Sequence, residues 1–114
     1  MKLFMRVFAD CEDTATAQEI LSSLNDVLSK FVPKVHNDPK PYWKIPGQFE
    51  FTFTFAAPGK DKFTDIVGSC DTGWLHIGSD FDTSSVWNRT AGHMFLIPEI
   101  SWGEITLHEY PSVR

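Results

Sequence analysis

Four histidines, two cysteines and one Asp-x-Asp segment are the residues of this chain whose types could do chemistry. His76, in Trp74-Leu75-His76-Ile77, and His108 fall in segments of β character; His36 and His93 stand in turn-rich sequence. Two strand-borne imidazoles could meet across a sheet as acid and base. Phosphoesterases built on paired His motifs need Thr or Ser two residues after each His, and Gly78 and Tyr110 occupy those positions. Both His therefore read as ordinary sheet residues. A small ferredoxin-like enzyme or ligand-binding module using His76, His108 and an aromatic pocket stays as the alternative.

The other chemical signals are weaker still. Cys11 and Cys70 are distant in sequence and have no His beside them to act as a base, so reduced, partly buried thiols are expected rather than a nucleophile or a disulfide. Asp80-Phe81-Asp82 resembles the opening of a calcium loop, but the chain continues Thr83-Ser84-Ser85-Val86 without the required Gly or the closing Glu. No Cys-x-x-Cys, His-x-x-x-His, phosphate-cradling Gly-rich loop or nucleophile elbow occurs. The expectation is a chain with no catalytic residue, no metal and no cofactor.

The elements that would position these residues follow from periodicity. Lys2–Ala9 reads as a strand, with Phe4 and Phe8 on one face and Leu3, Met5 and Val7 on the other, hence interior. Asp13 and Thr14 offer N-caps to a long helix, and Thr16 with Glu19 resembles a capping box slightly inside it. Ile20, Leu21, Leu24, Val27, Leu28 and Phe31 give that helix one apolar face, and it stops before Pro33. Val32–Gly47, with Pro33, Pro39, Pro41 and Pro46, reads as irregular, its Tyr42, Trp43 and Ile45 either pinned to the core or exposed for contact. Gln48–Ala57 alternates Phe49, Phe51, Phe53 and Phe55 with polar residues, the pattern of a strand with one wet face. Lys60–Val67 fits a short helix and Trp74–Ile77 a short strand. Asp80–Ser85 reads as a polar turn, after which Val86 and Trp87 resume extended structure. Met94–Ile97 is apolar, and Ile100–Tyr110 alternates loosely, with Gly103 a candidate bulge. The sum is one α+β domain over residues 1–114: an antiparallel sheet of four to six strands, one long and one short helix on one face, with a ferredoxin-like arrangement among the topologies that fit.

Size and charge narrow the function classes. A chain of 114 residues with 42% hydrophobic and 22% charged residues is globular. The N-terminus has no targeting pattern, since Arg6 interrupts its apolar run and Asp10, Glu12 and Asp13 follow at once. No apolar run approaches a membrane span. A cytoplasmic location is expected, without contact to membrane. Net charge is −5. From Phe63 to Glu109 the acids are Asp65, Asp71, Asp80, Asp82, Glu99, Glu104 and Glu109 against Arg89 alone, whereas the part through Lys62 is balanced. An acidic half repels nucleic acid and attracts basic partners; the plain alternative is that it keeps a small domain soluble.

Ten Phe, four Trp and two Tyr are a heavy aromatic load. Trp43, Trp74, Trp87 and Trp102 exceed what a small core needs, and at least two should be buried. Trp is favoured at interface hot spots. Trp87, among Ser84, Ser85, Asn88 and Arg89, has the most polar setting and is expected to be a partly exposed anchor. With Asp71, Asp80, Asp82, Glu99 and Glu104 it makes up the candidate partner-binding set.

The size, the acidic balance and the runs Ser84-Ser85-Val86-Trp87-Asn88-Arg89 and Phe95-Leu96-Ile97-Pro98-Glu99-Ile100-Ser101-Trp102 resemble small immunity proteins of bacterial contact-dependent growth inhibition and related polymorphic toxin systems. The likeness covers about the last third of the chain. It implies a cytoplasmic toxin inhibitor that binds a cognate toxin domain, often a nuclease, and blocks its active site or substrate groove. Such toxins tend to be basic because their substrates are polyanions. Interfaces vary from pair to pair in this class, so the resemblance carries over no binding residues.

Overall fold

The computed structural model of the chain describes residues 2–70, 72–78, 82–90 and 94–108. Its order is β1 (Lys2–Asp10), α1 (Thr14–Leu28) continued by a 3-10 turn at Ser29–Phe31, β2 (Pro33–Pro41), β3 (Gln48–Phe55), α2 (Lys60–Val67), β4 (Trp74–Gly78), β5 (Asp82–Asn88) and β6 (Ile100–His108). The six strands form one antiparallel sheet in the order β2-β3-β1-β6-β5-β4. Strands β2-β3-β1-β6, with α1 between β1 and β2 and α2 after β3, follow the split-βαβ order of ferredoxin-like sheets. The hairpin β4-β5 extends that sheet beyond β6.

The alternation of residue types sets which way the sheet faces. Leu3, Met5, Val7 and Ala9 of β1 are buried on one side together with Phe49, Phe51, Phe53 and Phe55 of β3 and Ile105 and Leu107 of β6. In register, Met5 lies between Phe53 and Ile105, and Val7 between Phe51 and Gly103. Ala17, Ile20, Leu24 and Leu28 of α1 and Phe63 and Ile66 of α2 close over this side in one core. The expected row of four Phe is thus core and not an exposed oligomer surface. Asp13 caps α1, its carboxylate accepting the Thr16 N–H at 2.7 Å. The cap lies three residues before the Thr16 that the capping-box pattern singled out. Val27 points out of the core at 41% exposure.

Three local expectations are corrected. The proline-rich segment is not irregular up to Gly47: Pro33–Pro41 pairs with β3, with register shifts between Val35 and Asn37 and between Asn37 and Lys40. Proline is tolerated there because β2 is an edge, where only one side must donate to a ladder. Asp82–Ser85 is not a turn but the start of β5, opposite His108–Ile105. Gly103 is not a bulge: its register with Val7 and Trp87 is regular, and the irregularity falls between Phe8 and Ala9. Gly103 is glycine because the Phe95 ring and Val7 press on it; an added Cβ would stand 3.1 Å from Phe95 Cε2 and 3.3 Å from Val7 Cγ1. The apolar segment Met94–Ile97 holds a tight bend. Phe95 and Ile97 form an isolated bridge around Leu96, whose φ is 65°, and this bend drives Phe95 into the core.

Candidate functional site

Both helices lie on one side of the sheet, and among the described residues no helix or strand covers the opposite side. The register lines up its residues in rows. One row runs Arg6, Glu104, Val86, Leu75 from β1 to the β4 edge; the next runs Glu50, Phe8, Trp102, Asn88. Leu75 and Ile77 are exposed at 63% and 53%, on a strand without a charged residue. Glu104 is half-buried and makes no ion pair or hydrogen bond among the described residues.

At one end of this open face the aromatic rings gather. Phe8 stacks between Tyr42, at 4.3 Å between ring centroids, and Trp102, at 5.1 Å, with interplanar angles of 25° and 26°. The three-ring stack shields Phe8 to 7% exposure although no helix covers it. Arg6 lies against the stack, its guanidinium carbon 4.9 Å from the Phe8 centroid, and its Nε donates to Glu50. Glu50 also pairs with Lys40 at 3.5 Å. Beyond the rings, Arg89 donates through both terminal nitrogens to Asp10, and Gln48 donates to the same carboxylate. These bonds, Arg89's first, hold the Asp10 carboxyl below the usual carboxylate range, and Asp10 in turn raises the Arg89 guanidinium. Ser101 donates to Gln48 Oε1 at 2.6 Å and ties β6 into the network. Between the stack and this network is a cleft of about 510 Å³. A larger hollow of about 810 Å³ lies on the helical side near the start of α2, but Lys30, Lys60 and Lys62 stand there with Asp61 and Asp65 and only Phe31 supplies a ring. Its mixed charges select no ligand, so the open face is the better candidate.

The sequence-derived set is scattered. Asp71 and Asp80 lie outside the described residues. Asp82 opens β5 across from His108. Glu99 is exposed just before β6, its carbonyl accepting the Asp10 N–H at 2.9 Å. Glu104 sits in the middle of the open face, five residues or roughly 17 Å along the strand from Glu99. Trp87, expected to be partly exposed, is wholly buried: it points to the helical side, its indole N–H donates to the Thr72 carbonyl at 3.1 Å, and its ring packs on Phe95. The polar neighbours misled because Ser84 and Asn88 alternate to the opposite face, while Ser85, on the same face as Trp87, is itself buried. Trp87 is the single fully buried Trp; Trp43 is 82% exposed, and Trp74 and Trp102 are half-buried. Of the loop aromatics, Tyr42 is pinned by stacking and Trp43 is exposed, touching only its neighbours Tyr42 and Lys44 among the described residues.

Reading the sequence for motifs missed Arg6, Phe8, Tyr42, Gln48 and Glu50. The available signal was the off-core alternation of β1 and β3, which put Arg6 and Phe8 on one side together with Glu50. The histidine pair fares worse. His76 faces the helical side, its Nδ1 2.6 Å from Ser85 Oγ, and His108 faces the open side. They share no cleft, which removes the paired-histidine alternative. Cys11 and Cys70 are free and buried; burial pushes the Cys11 thiol up, away from the reactive thiolate. Among the described residues no three His, Cys, Asp or Glu gather as a metal site requires, and no helix is long and apolar enough to cross a membrane. Comparison with protein-family models, curated proteins and solved structures gave no match.

Proposed function

We propose that this protein is a bacterial immunity protein, a cytoplasmic inhibitor that docks the open face of its sheet on a cognate toxin domain and blocks that toxin's active site or substrate groove. The observation that carries the reading is the one-sided layering: six strands expose a continuous face with Trp102 half-buried, Leu75 and Ile77 exposed at the edge, and the unpaired Glu104 between them. An aromatic and aliphatic centre gives a partner area to desolvate, and an unpaired carboxylate gives it a charge to meet. The acidic balance of the chain favours a basic partner, which suits a nuclease domain built to hold a polyanion. The contacts assigned are Trp102, Glu104 and Glu99, with Leu75 and Ile77 at the margin; Trp87 supports the face from beneath and touches no partner.

The test is co-purification with the polypeptide encoded immediately beside this one, at low and at high salt, followed by a nuclease assay of that polypeptide with and without this protein. A stoichiometric complex that weakens with salt and silences the activity is expected. Absence of a complex at both salt concentrations would overturn the reading.

A further inference from the structure

The cleft beside the aromatic stack has a lopsided hydrogen-bonding inventory. Its carboxylate and amide acceptors are occupied. Asp10 takes bonds from Arg89 and Gln48, Gln48 Oε1 takes one from Ser101, and Asn88 Oδ1 takes two from Thr90. The donors are not. Arg6 spends only its Nε, on Glu50, so its two terminal nitrogens make no hydrogen bond among the described residues. The indole N–H of Trp102 and the amide nitrogen of Asn88, both on cleft-lining side chains, are likewise unspent there. Charge points the same way: the charged residues lining the cleft are Arg6 and Arg89, both cationic, with Asp10 pairing Arg89 and Glu50 shared between Arg6 and Lys40.

From this inventory we infer that the cleft is a ligand site in its own right, for a planar ring that carries a carboxylate or a phosphate. The two terminal nitrogens of Arg6 form a fork that matches two oxygens of either group. Trp102 and Tyr42, the outer members of the stack, have the flat surface that a ring packs on, and about 510 Å³ suits a molecule of one or two rings. Glu104, the cross-strand neighbour of Arg6, stands outside the cleft and limits it to a single anionic group. The inference does not rest on the toxin reading, since no acidic side chain among the described residues lines the cleft to meet a basic partner.

The experiment is an NMR titration of the full chain, following the indole N–H of Trp102, assigned by its loss in Trp102→Phe. The probes are benzoate, adenosine monophosphate, benzamide and inorganic phosphate. Benzoate, adenosine monophosphate or both should shift the Trp102 signal saturably, with benzamide and phosphate binding about tenfold more weakly or less. Which of the two anionic rings binds tighter tells carboxylate from phosphate. Arg6→Lys, which keeps the charge and loses the fork, should weaken the better probe about tenfold, and Glu104→Gln should tighten it. Arg6→Lys leaves the core untouched, so an unchanged dispersed spectrum separates lost binding from lost folding. The inference is overturned if neither anionic ring moves Trp102, if phosphate alone binds as well as the ringed probes, or if Arg6→Lys binds unchanged.

Discussion

The two sides of this sheet are made by the same strands and differ residue by residue. On the helical side, Met5, Phe53 and Ile105 lie in one row with no exposed surface at all. One residue along each of β1 and β6, on the open side, stand Arg6 and Glu104, with Thr52 beside them on β3. The helical side is apolar and filled, so its residues act on stability. The open side mixes charge, stacked rings and exposed aliphatic groups, and it is the side proposed for recognition. Trp87 and Trp102 show the contrast within one residue type. Trp87 is sealed under the helices with its N–H satisfied, and Trp102 lies half-open with its N–H unspent.

Substitutions that trade the properties of the two sides sharpen or break this division. Phe53→Ala, on the helical side, should destabilise most, by about 3–5 kcal/mol in urea unfolding. Gly103→Val is next, at about 1–3 kcal/mol, because its new side chain meets Phe95 and Val7 in a packed layer. Trp102→Ala, on the open side, should cost about 1–2 kcal/mol from the lost stack on Phe8, and should remove partner binding altogether if the open face is the docking surface. A Trp102→Ala protein that binds normally would break the division. The smallest effect is expected at Asp10. Its folded-state carboxyl lies below the unfolded value, so its contribution is present above the ordinary carboxylate range and is lost as pH falls through the lowered value. The Asp10–Arg89 pair is about half exposed, which keeps the effect under about 1 kcal/mol. Asp10→Asn should lower stability near neutral pH by that small amount and flatten the acid limb of the stability–pH profile, the two profiles converging below the lowered value.

How much of this was legible in the sequence depended on the range of the signal. Period-2 alternation in Gln48–Phe55 and helical spacing from Ile20 to Phe31 are local and strong, and they gave β3, α1 and the core face directly. The Lys60–Val67 helix was equally readable. Strand pairing is not local. Nothing near Pro33–Pro41 announces that β3 will recruit it as an edge, or that Gly103 faces a ring eight residues upstream and not a bulge. The site was less legible than the fold because it is assembled across the sheet. Arg6, Tyr42, Glu50 and Trp102 come from β1, the segment after β2, β3 and β6, and no motif spans them. Trp87 shows the specific trap: Ser84 and Asn88 describe the opposite face of β5, and Ser85, on the same face, is buried with Trp87.

The central claim is that recognition belongs to the open face. The most direct test reverses one charge on each side and measures affinity for the partner obtained by co-purification. Glu104→Lys alters the open face and, set opposite Arg6, should cost up to about 1 kcal/mol of stability, whereas Asp65→Lys alters the exposed side of α2 and should stay within about 0.5 kcal/mol. Glu104→Lys should weaken the complex strongly and Asp65→Lys hardly at all. Equal effects, or a larger loss with Asp65→Lys, would contradict the account.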